Sequence, residues 1–383
     1  MMNKNLSIGN KKFFFLNLDG IRTCAFLMVF FGHCFRWVPL QGKFEELEWI
    51  SDLMTNLSNM GVNLFFVLSG FLITYMLMNE QTETGTISIS KFYIRRILRI
   101  WPLYYIVVAV GFIVVFFVFK LLPMNLLTFR GTMFYAFFLV NFEHIYYNLT
   151  HTLISVLWSV SVEEQFYLCW PLLLAFTKRQ YYPLLFAVLI AASIMFRINT
   201  SVTSYRIMHY HTLAIAIYLL IGGLGAWLVY TKRKFLDLIT EIPKYTIVIV
   251  YVSLAFIASI HKTYLADYEA LICLFYAPAF LFVVLEQNYA KHSFYKMSRI
   301  WALDFLGKYT YTLYCTHFFS IFAVCFIPIH FLKLPDDNLF LYSLEWVIAA
   351  FLCISSAILI YRYYESYFLK LKHKFDPLQK KVI

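Results

Sequence analysis

Two histidines, two adjacent glutamates and a pair of arginines stand in otherwise apolar stretches of this sequence. Arg22 and His33 lie 11 residues apart in the run 21–38. On an α-helix that separation is three turns plus about 20°, so the two side chains share a face, with about 16 Å of rise between them. Asp19, one turn before Arg22, is placed to pair with it. The run 152–176 carries Glu163 and Glu164 near its centre, where a short-stemmed carboxylate cannot snorkel to water. Ser159, Glu163 and Tyr167 share one helical face, and Ser161 and Glu164 share the neighbouring one. Arg96 and Arg99 are one turn apart before Trp101-Pro102, and guanidinium forks suit phosphate oxygens. His317 follows Tyr311 and Tyr314 on one predicted helix, and Ser69-Gly70 is a small step suited to close helix packing. Each feature has a plain structural alternative: a snorkelling arginine, a satisfied core histidine, a polar network that only locks helices, or ordinary cytoplasmic charge. Ionisable groups in a bilayer core are nevertheless costly, which makes them functional candidates together.

The elements that must position these residues follow from composition. Hydrophobic residues make up 61% of the 383 and charged residues only 14%, against about 45–50% and about 25% in a soluble domain. Bilayer-length apolar stretches succeed one another with no long polar segment between them, so the chain reads as one all-α polytopic membrane domain over 1–383. The predicted spans are 21–38, 61–78, 100–121, 152–176, 181–197, 211–230, 245–260, 268–286, 309–330 and 341–361, about ten transmembrane helices. The first apolar run continues as a full span with no small-residue cleavage site after it, so no cleavable signal peptide is expected. The seven cysteines lie in the spans without a CxxC pair, which indicates neither a metal site nor a disulfide framework.

Charge sets the topology. The net charge of +11 reflects basic residues held at the cytoplasmic face rather than a nucleic-acid partner. With ten spans, only Arg36, Lys43, Lys120, Arg130, Arg197, Arg206, Lys262 and Lys333 of the 32 Lys and Arg fall outside. Counting 126–142 as an eleventh span would put Lys232, Arg233 and Lys234 outside, so it is predicted to be re-entrant or interfacial, its backbone covered by protein or a wet cavity. The short N-terminus (1–20) and the tail (365–383) are then cytoplasmic, in a plasma (inner) membrane. The loop 41–60, with Glu45, Glu46, Glu48 and Asp52, is expected to lie along the outer surface as an amphipathic helix. The lack of half-to-half symmetry weighs against an inverted-repeat transporter.

With these residues in place, the sequence resembles the acyltransferase-3 family of membrane acyltransferases over almost its whole length. Leu18-Asp19-Gly20-Ile21-Arg22 followed by His33 is similar to the family's opening signature, a basic residue and a histidine with ten residues between them. The segment Gly61 to Gly70 resembles its second block, and Arg96-Ile97-Leu98-Arg99 its RxxR. Trp158-Ser159-Val160-Ser161-Val162-Glu163-Glu164-Gln165-Phe166-Tyr167 resembles a third block. Leu306-Gly307-Lys308-Tyr309-Thr310-Tyr311-Thr312-Leu313-Tyr314-Cys315-Thr316-His317 resembles the late one. Asn63 stands where Asp is common and Thr310 where Ser is usual, so no titrating carboxylate is expected at position 63. The chain ends shortly after its last span and so resembles the standalone branch, without the extracytoplasmic hydrolase-like domain of some relatives.

The resemblance implies an O-acyltransferase that moves an acyl group, often acetyl, from cytoplasmic acyl-CoA to a hydroxyl of a carbohydrate or lipid-linked glycan. Acyl-CoA is then a co-substrate, with no tightly bound cofactor. Arg96 and Arg99 would hold its phosphates, and the acyl arm would run along the Arg22–His33 face. His33 would be general base, with Glu163 or Glu164 orienting or stabilising its imidazole; an acyl-histidine intermediate is the other mechanism. Asp19, Ser69, Trp158, Ser159, Ser161, Tyr167, Tyr314 and His317 are supporting candidates. The rival class is a glycan or lipid transporter or flippase that uses His33 and the glutamates as a proton relay.

Overall fold

The structure, a computed structural model, describes residues 15, 17–36, 48–119, 129–147, 153–201, 204–326 and 339–377; among these every regular element is helical. Helices α1 (Leu18–Arg36), α2 (Glu48–Thr84) and α3 (Ile89–Phe119) lead to two short helices, α4 (Phe129–Ala136) and α5 (Val140–Tyr147). Then come α6 (Leu157–Phe176), α7 (Tyr182–Ser201), α8 (Tyr205–Tyr210), α9 (Thr212–Thr231), α10 (Arg233–Thr240), α11 (Lys244–Tyr264) and α12 (Cys273–Tyr289). The chain closes with α13 (Trp301–Gly307), α14 (Thr310–Ile321), α15 (Leu339–Ile360) and α16 (Ser366–His373).

By length and composition seven helical segments among the described residues suffice to cross a bilayer: Leu18–Phe35, Trp49–Thr84, Ile89–Phe117, Arg179–Ser201, Tyr205–Thr231, Lys244–His261 and Leu341–His373. The other three predicted spans fall on α6, α12 and α14. Glu163, Glu164 and Gln165 dilute α6, α12 has 17 residues, and α14 has 12 that run on into the π-helical turn Phe322–Phe326. The protein is an all-α polytopic helix bundle. Helix α2 packs between α1 and α9, and α14 between α1 and α15. At the α2–α9 crossing the helices touch through glycine: a Cβ on Gly70 would strike the Leu219 backbone, and one on Gly222 the Val67 carbonyl. The small step at Ser69-Gly70 thus serves the close packing predicted for it, and it also brings Ser69 against α6.

Two boundaries differ from the sequence reading. Residues 48–60 do not form a separate surface helix; they are the first turns of α2, which runs unbroken for 37 residues, or about 55 Å at 1.5 Å per residue. No helix breaker interrupts the apolar stripe there. Leu53 and Leu57 continue it into the core, and Asn56 donates to the Ala258 carbonyl of α11 at 3.1 Å. Residues 41–47 of that predicted helix lie outside the described residues, as do residues 1–14, Asp337 and 378–383 of the expected cytoplasmic and outer segments. Helix α3 likewise starts 11 residues before the predicted span, so Arg95, Arg96 and Arg99 are on its own surface. Its internal Pro102 cannot donate a backbone hydrogen bond, and tyrosine hydroxyls take up nearby carbonyls: Tyr311 donates to Ile100 O at 2.9 Å and Tyr364 to Pro102 O at 3.2 Å.

The ambiguous stretch 126–142 does not cross as a helix. Its described part, 129–142, falls on α4 and α5, which have eight residues each, about 12 Å of rise against a core of about 30 Å. They meet at Phe138, a non-glycine residue at φ 55° whose ring stacks on Tyr104 at 4.1 Å. The turn's carbonyls are covered by protein: Tyr104 donates to Tyr135 O at 2.8 Å, Tyr105 to Ala136 O at 3.0 Å and Gln165 to Phe138 O at 2.8 Å. That is what irregular backbone needs in a bilayer.

Candidate active site

Helices α1, α2, α3, α6 and α14 enclose a cavity of about 820 Å³, open water at its mouth included. One end is basic, with Arg22 from α1 and Arg96 and Arg99 from α3. The middle carries Ser69 of α2 and Glu163 and Tyr167 of α6, while Ser159 and Tyr314 lie farther along their helices. Phe65, Phe66, Leu72 and Ile73 of α2 supply apolar wall, so the space suits a chain-like ligand with a polyanionic head.

The arginines do different things. Arg22 is held by Asp19 at 2.5 Å, as its spacing predicts. Arg95 is buried and spent on structure, donating to Glu80 at 2.9 Å and to the Phe375 carbonyl of the C-terminal segment at 3.0 Å. Arg96 lies over the rings of Phe92 and Tyr167, at 5.6 and 5.8 Å, and its Nε is buried with no hydrogen-bond partner. Among the described residues neither Arg96 nor Arg99 has a carboxylate within ion-pair distance. Two guanidinium groups one turn apart, lining a cavity and lacking anions of their own, form a ready anion site.

Helix α6 divides its polar residues by face. Glu163 faces the cavity and accepts from the Ser69 hydroxyl at 2.5 Å, and the Ser159 and Tyr314 hydroxyls lie 2.6 Å apart. Glu164 turns away, accepting from the Trp101 indole N–H at 2.8 Å, while its other oxygen is buried without a partner. Ser161 accepts from the Val140 N–H at 3.3 Å and donates to Leu157 O at 3.1 Å, so it joins α5 to α6. Trp158 packs against Phe66 and Tyr210 rather than opening on the cavity.

The two histidines meet. His33 Nδ1 and His317 Nε2 are 3.0 Å apart, with rings 5.2 Å apart and stacked. His317 Nδ1 lies 2.6 Å from the Tyr314 carbonyl, and a carbonyl only accepts. Neutral His317 therefore carries its proton on Nδ1 and offers Nε2 as acceptor, so His33 donates from Nδ1 and its basic nitrogen is Nε2. The imidazole predicted to lean on a glutamate leans on a second, fully buried histidine. Arg22 and His33 still share the α1 face that looks onto α14, and the cavity lining reaches Tyr314, one turn short of His317.

Tyr311 and Thr310 also line the cavity, and Trp101 anchors Glu164. Tyr311 stood in the late sequence block and Trp101 beside the RxxR, yet only the packing of α3 and α14 against α6 gives either a role.

The model of a family described as an acyltransferase domain matches residues 15–362. The peptidoglycan O-acetyltransferase OatA of Listeria monocytogenes is 34% identical over 172 residues, 42% of this chain and 24% of the relative. The O-acetyltransferase OatA of Staphylococcus aureus is 29% identical over 174 residues, 43% of this chain and 26% of the relative. This chain thus spans about a quarter of the length of these relatives. Another Staphylococcus aureus protein with an O-acetyltransferase name is 26% identical over 324 residues, 79% of this chain and 50% of that one. No solved structure matches significantly. A family match across nearly the whole sequence, over a membrane bundle with a polar cavity between its helices, places this chain in the acyltransferase-3 family of integral membrane acyltransferases.

Proposed function

We propose that this protein is an O-acyltransferase that takes an acyl group, acetyl for choice, from acyl-CoA at its cytoplasmic face and places it on a carbohydrate or lipid-linked glycan hydroxyl. The observation that supports it best is the cavity itself, with Arg96 and Arg99, which make no ion pair among the described residues, at one end and, just past the other, an oriented imidazole. The named activity of the relatives, O-acetyl transfer, points the same way. In this reading Arg96 and Arg99 bind the donor phosphates and the apolar wall of α2 takes the acyl arm. His33 Nε2 removes the proton of the acceptor hydroxyl as that oxygen attacks the thioester carbonyl carbon. The carbon–sulfur bond then breaks, and the leaving thiolate takes the proton back from the imidazolium. His317 holds the ring as the acid of a triad does. The Ser159 and Tyr314 hydroxyls line the cavity and would turn from each other and from the Val156 carbonyl to donate to the oxyanion.

The test is purified protein in liposomes with labelled acetyl-CoA and a glycan acceptor, read as label on the acceptor. Mass spectrometry of surface glycans from cells with and without the protein then identifies the product. Label on the glycan is expected; movement of a glycan or lipid with no acylated product would replace this reading with the transporter. The donor side also requires a cytoplasmic basic mouth. Reporter fusions after Lys234 and after Lys374 should both report cytoplasm, and an external Lys234 reporter would reverse the topology.

A further inference from the structure

The C-terminal helix α16 packs against the start of α3, and the segment after it is tied there by Arg95, which donates to the Phe375 carbonyl at 3.0 Å. This docking decides which way the tail's basic residues point. Lys370, His373 and Lys374 are exposed, whereas Lys372 turns inward and is half-buried. Its ammonium lies within electrostatic reach of Arg99, Arg96 and Arg95.

A lysine folded inward against arginines is costly unless anions balance it, since like charges repel and burial strengthens the repulsion. The carboxylates nearby, Glu365 and Asp376 among them, lie within electrostatic reach of it without forming an ion pair with it. Glu80 pairs with Arg95, and Glu365 accepts from the Thr312 hydroxyl. Asp376, four residues on, is an acid within reach of Lys372 but makes no ion pair with it. Among the described residues the Lys372 and Arg99 side chains make neither an ion pair nor a hydrogen bond. Arg96 has a buried Nε with no acceptor, and among the described residues its side chain donates only to the Met76 sulfur at 3.9 Å. Three half-buried cations on two separate elements therefore converge, and among the described residues none of the three makes an ion pair.

We propose that Lys372 is a donor-binding residue, the third cation of the site formed by Arg96 and Arg99, carried toward them by α16 to take phosphate oxygens of the acyl donor. This inference rests on the reading of acyl-CoA as donor. It gives the C-terminal helix a part in substrate binding, where its sequence shows only a basic tail. The arginines offer planar forks from α3, and the lysine adds a compact charge from another element. A ligand with several phosphates bridges the two elements; a single carboxylate does not need both.

The shared ligand chemistry is phosphate, and a CoA molecule or an anionic lipid headgroup could supply it, so the experiment separates them. Full-length protein is placed in nanodiscs with and without phosphatidylglycerol, and CoA is titrated at two salt concentrations. Lys372→Gln should weaken CoA binding about ten- to a hundredfold and flatten its salt dependence. Lys372→Arg should keep most of the affinity, and Lys374→Gln, on the exposed side, should match wild type. In wild type, bound CoA should shield Lys372 but not Lys374 from an amine-acylating reagent, a readout that needs no variant to fold. Equal CoA affinity in wild type and Lys372→Gln, or no shielding, overturns the inference and leaves the donor reading standing. A wild type that binds no CoA overturns both. Lost phosphatidylglycerol retention with CoA binding unchanged assigns Lys372 to lipid and also overturns it.

Discussion

Glu163 and Glu164 are neighbours of the same type on one helix, yet they face different worlds. Glu163 lines the cavity beside Ser69, and Ser159 and Tyr167 line it from the same face of α6. Glu164, with Ser161 and Gln165, looks onto α3, α5 and the turn at Phe138. There Trp101 donates to Glu164, and Gln165 donates to Phe138 O at 2.8 Å and to Asn141 at 2.9 Å and accepts from Thr212. One face holds a space open and the other closes a non-crossing segment. A polar residue in a membrane helix is thus not a site by virtue of being polar; what it faces decides. The same division separates Arg95, consumed by Glu80 and the C-terminal segment, from Arg96 and Arg99.

The largest effect should come where the cavity approaches the histidines. His33→Ala is expected to insert normally and lose about 10²–10⁴-fold in acyl transfer, the usual worth of a general base, with CoA binding retained. His317→Phe, which removes the acceptor but leaves the base, should cost less, about 10²-fold in kcat. Label transfer in liposomes reads both. A well-folded His33→Ala protein with near-normal transfer would shift the base to His317 or Glu163.

The arginines sharpen the comparison at the next level. Arg96→Ala and Arg99→Ala should each raise the apparent donor constant by about one to two orders of magnitude with folding intact, and Arg99→Lys should restore little, since a point charge cannot replace a fork. Arg95→Ala should instead lower the thermal midpoint, because it leaves Glu80 buried and unpaired. Donor titration and thermal unfolding of the three variants separate the roles, and a pure KM defect in Arg95→Ala would break the division. The smallest effects belong to the glutamates. Glu163→Gln should lower transfer by about tenfold at unchanged stability. Glu164→Gln, which still accepts from Trp101, should leave transfer near wild type. Glu164→Ala should cost about 1–3 kcal/mol of stability by orphaning the indole N–H. If Glu164→Gln loses transfer as Glu163→Gln does, the two faces share one site.

Much was legible in advance because membrane sequences advertise their spans. Periods of about 20 apolar residues, interrupted by Lys and Arg at predictable ends, follow from the cost of charge in hydrocarbon. The helical register of Arg22 with His33 and of Ser159 with Glu163 and Tyr167 needed only 100° per residue. The continuous α2 was not legible. Its polar outer turns, with Asp52, Asn56 and Asn59, resemble a surface helix until α11 is seen supporting Asn56. The partner of His33 was equally hidden: it lies 284 positions along the chain, and no local pattern ties the two.

The sequence by itself determined that the chain crosses a membrane as helices and which residues are too polar for where they sit; it raised the expectation that 126–142 does not cross, which the two eight-residue helices over 129–147 bear out for the described part. Hydropathy, charge placement and helical pitch are local properties, and one strand of text contains them. Only the tertiary structure decided which of those residues act together. It joined His33 to His317 rather than to a glutamate, assigned Glu163 to the cavity and Glu164 to Trp101, and turned Lys372 inward among the exposed bases of its tail. The reason is that partnership depends on which helix faces which. That is set by the packing of small contacts such as Gly70 on Leu219 and Gly222 on Val67, where closeness of backbones fixes the rotation of every side chain on both helices.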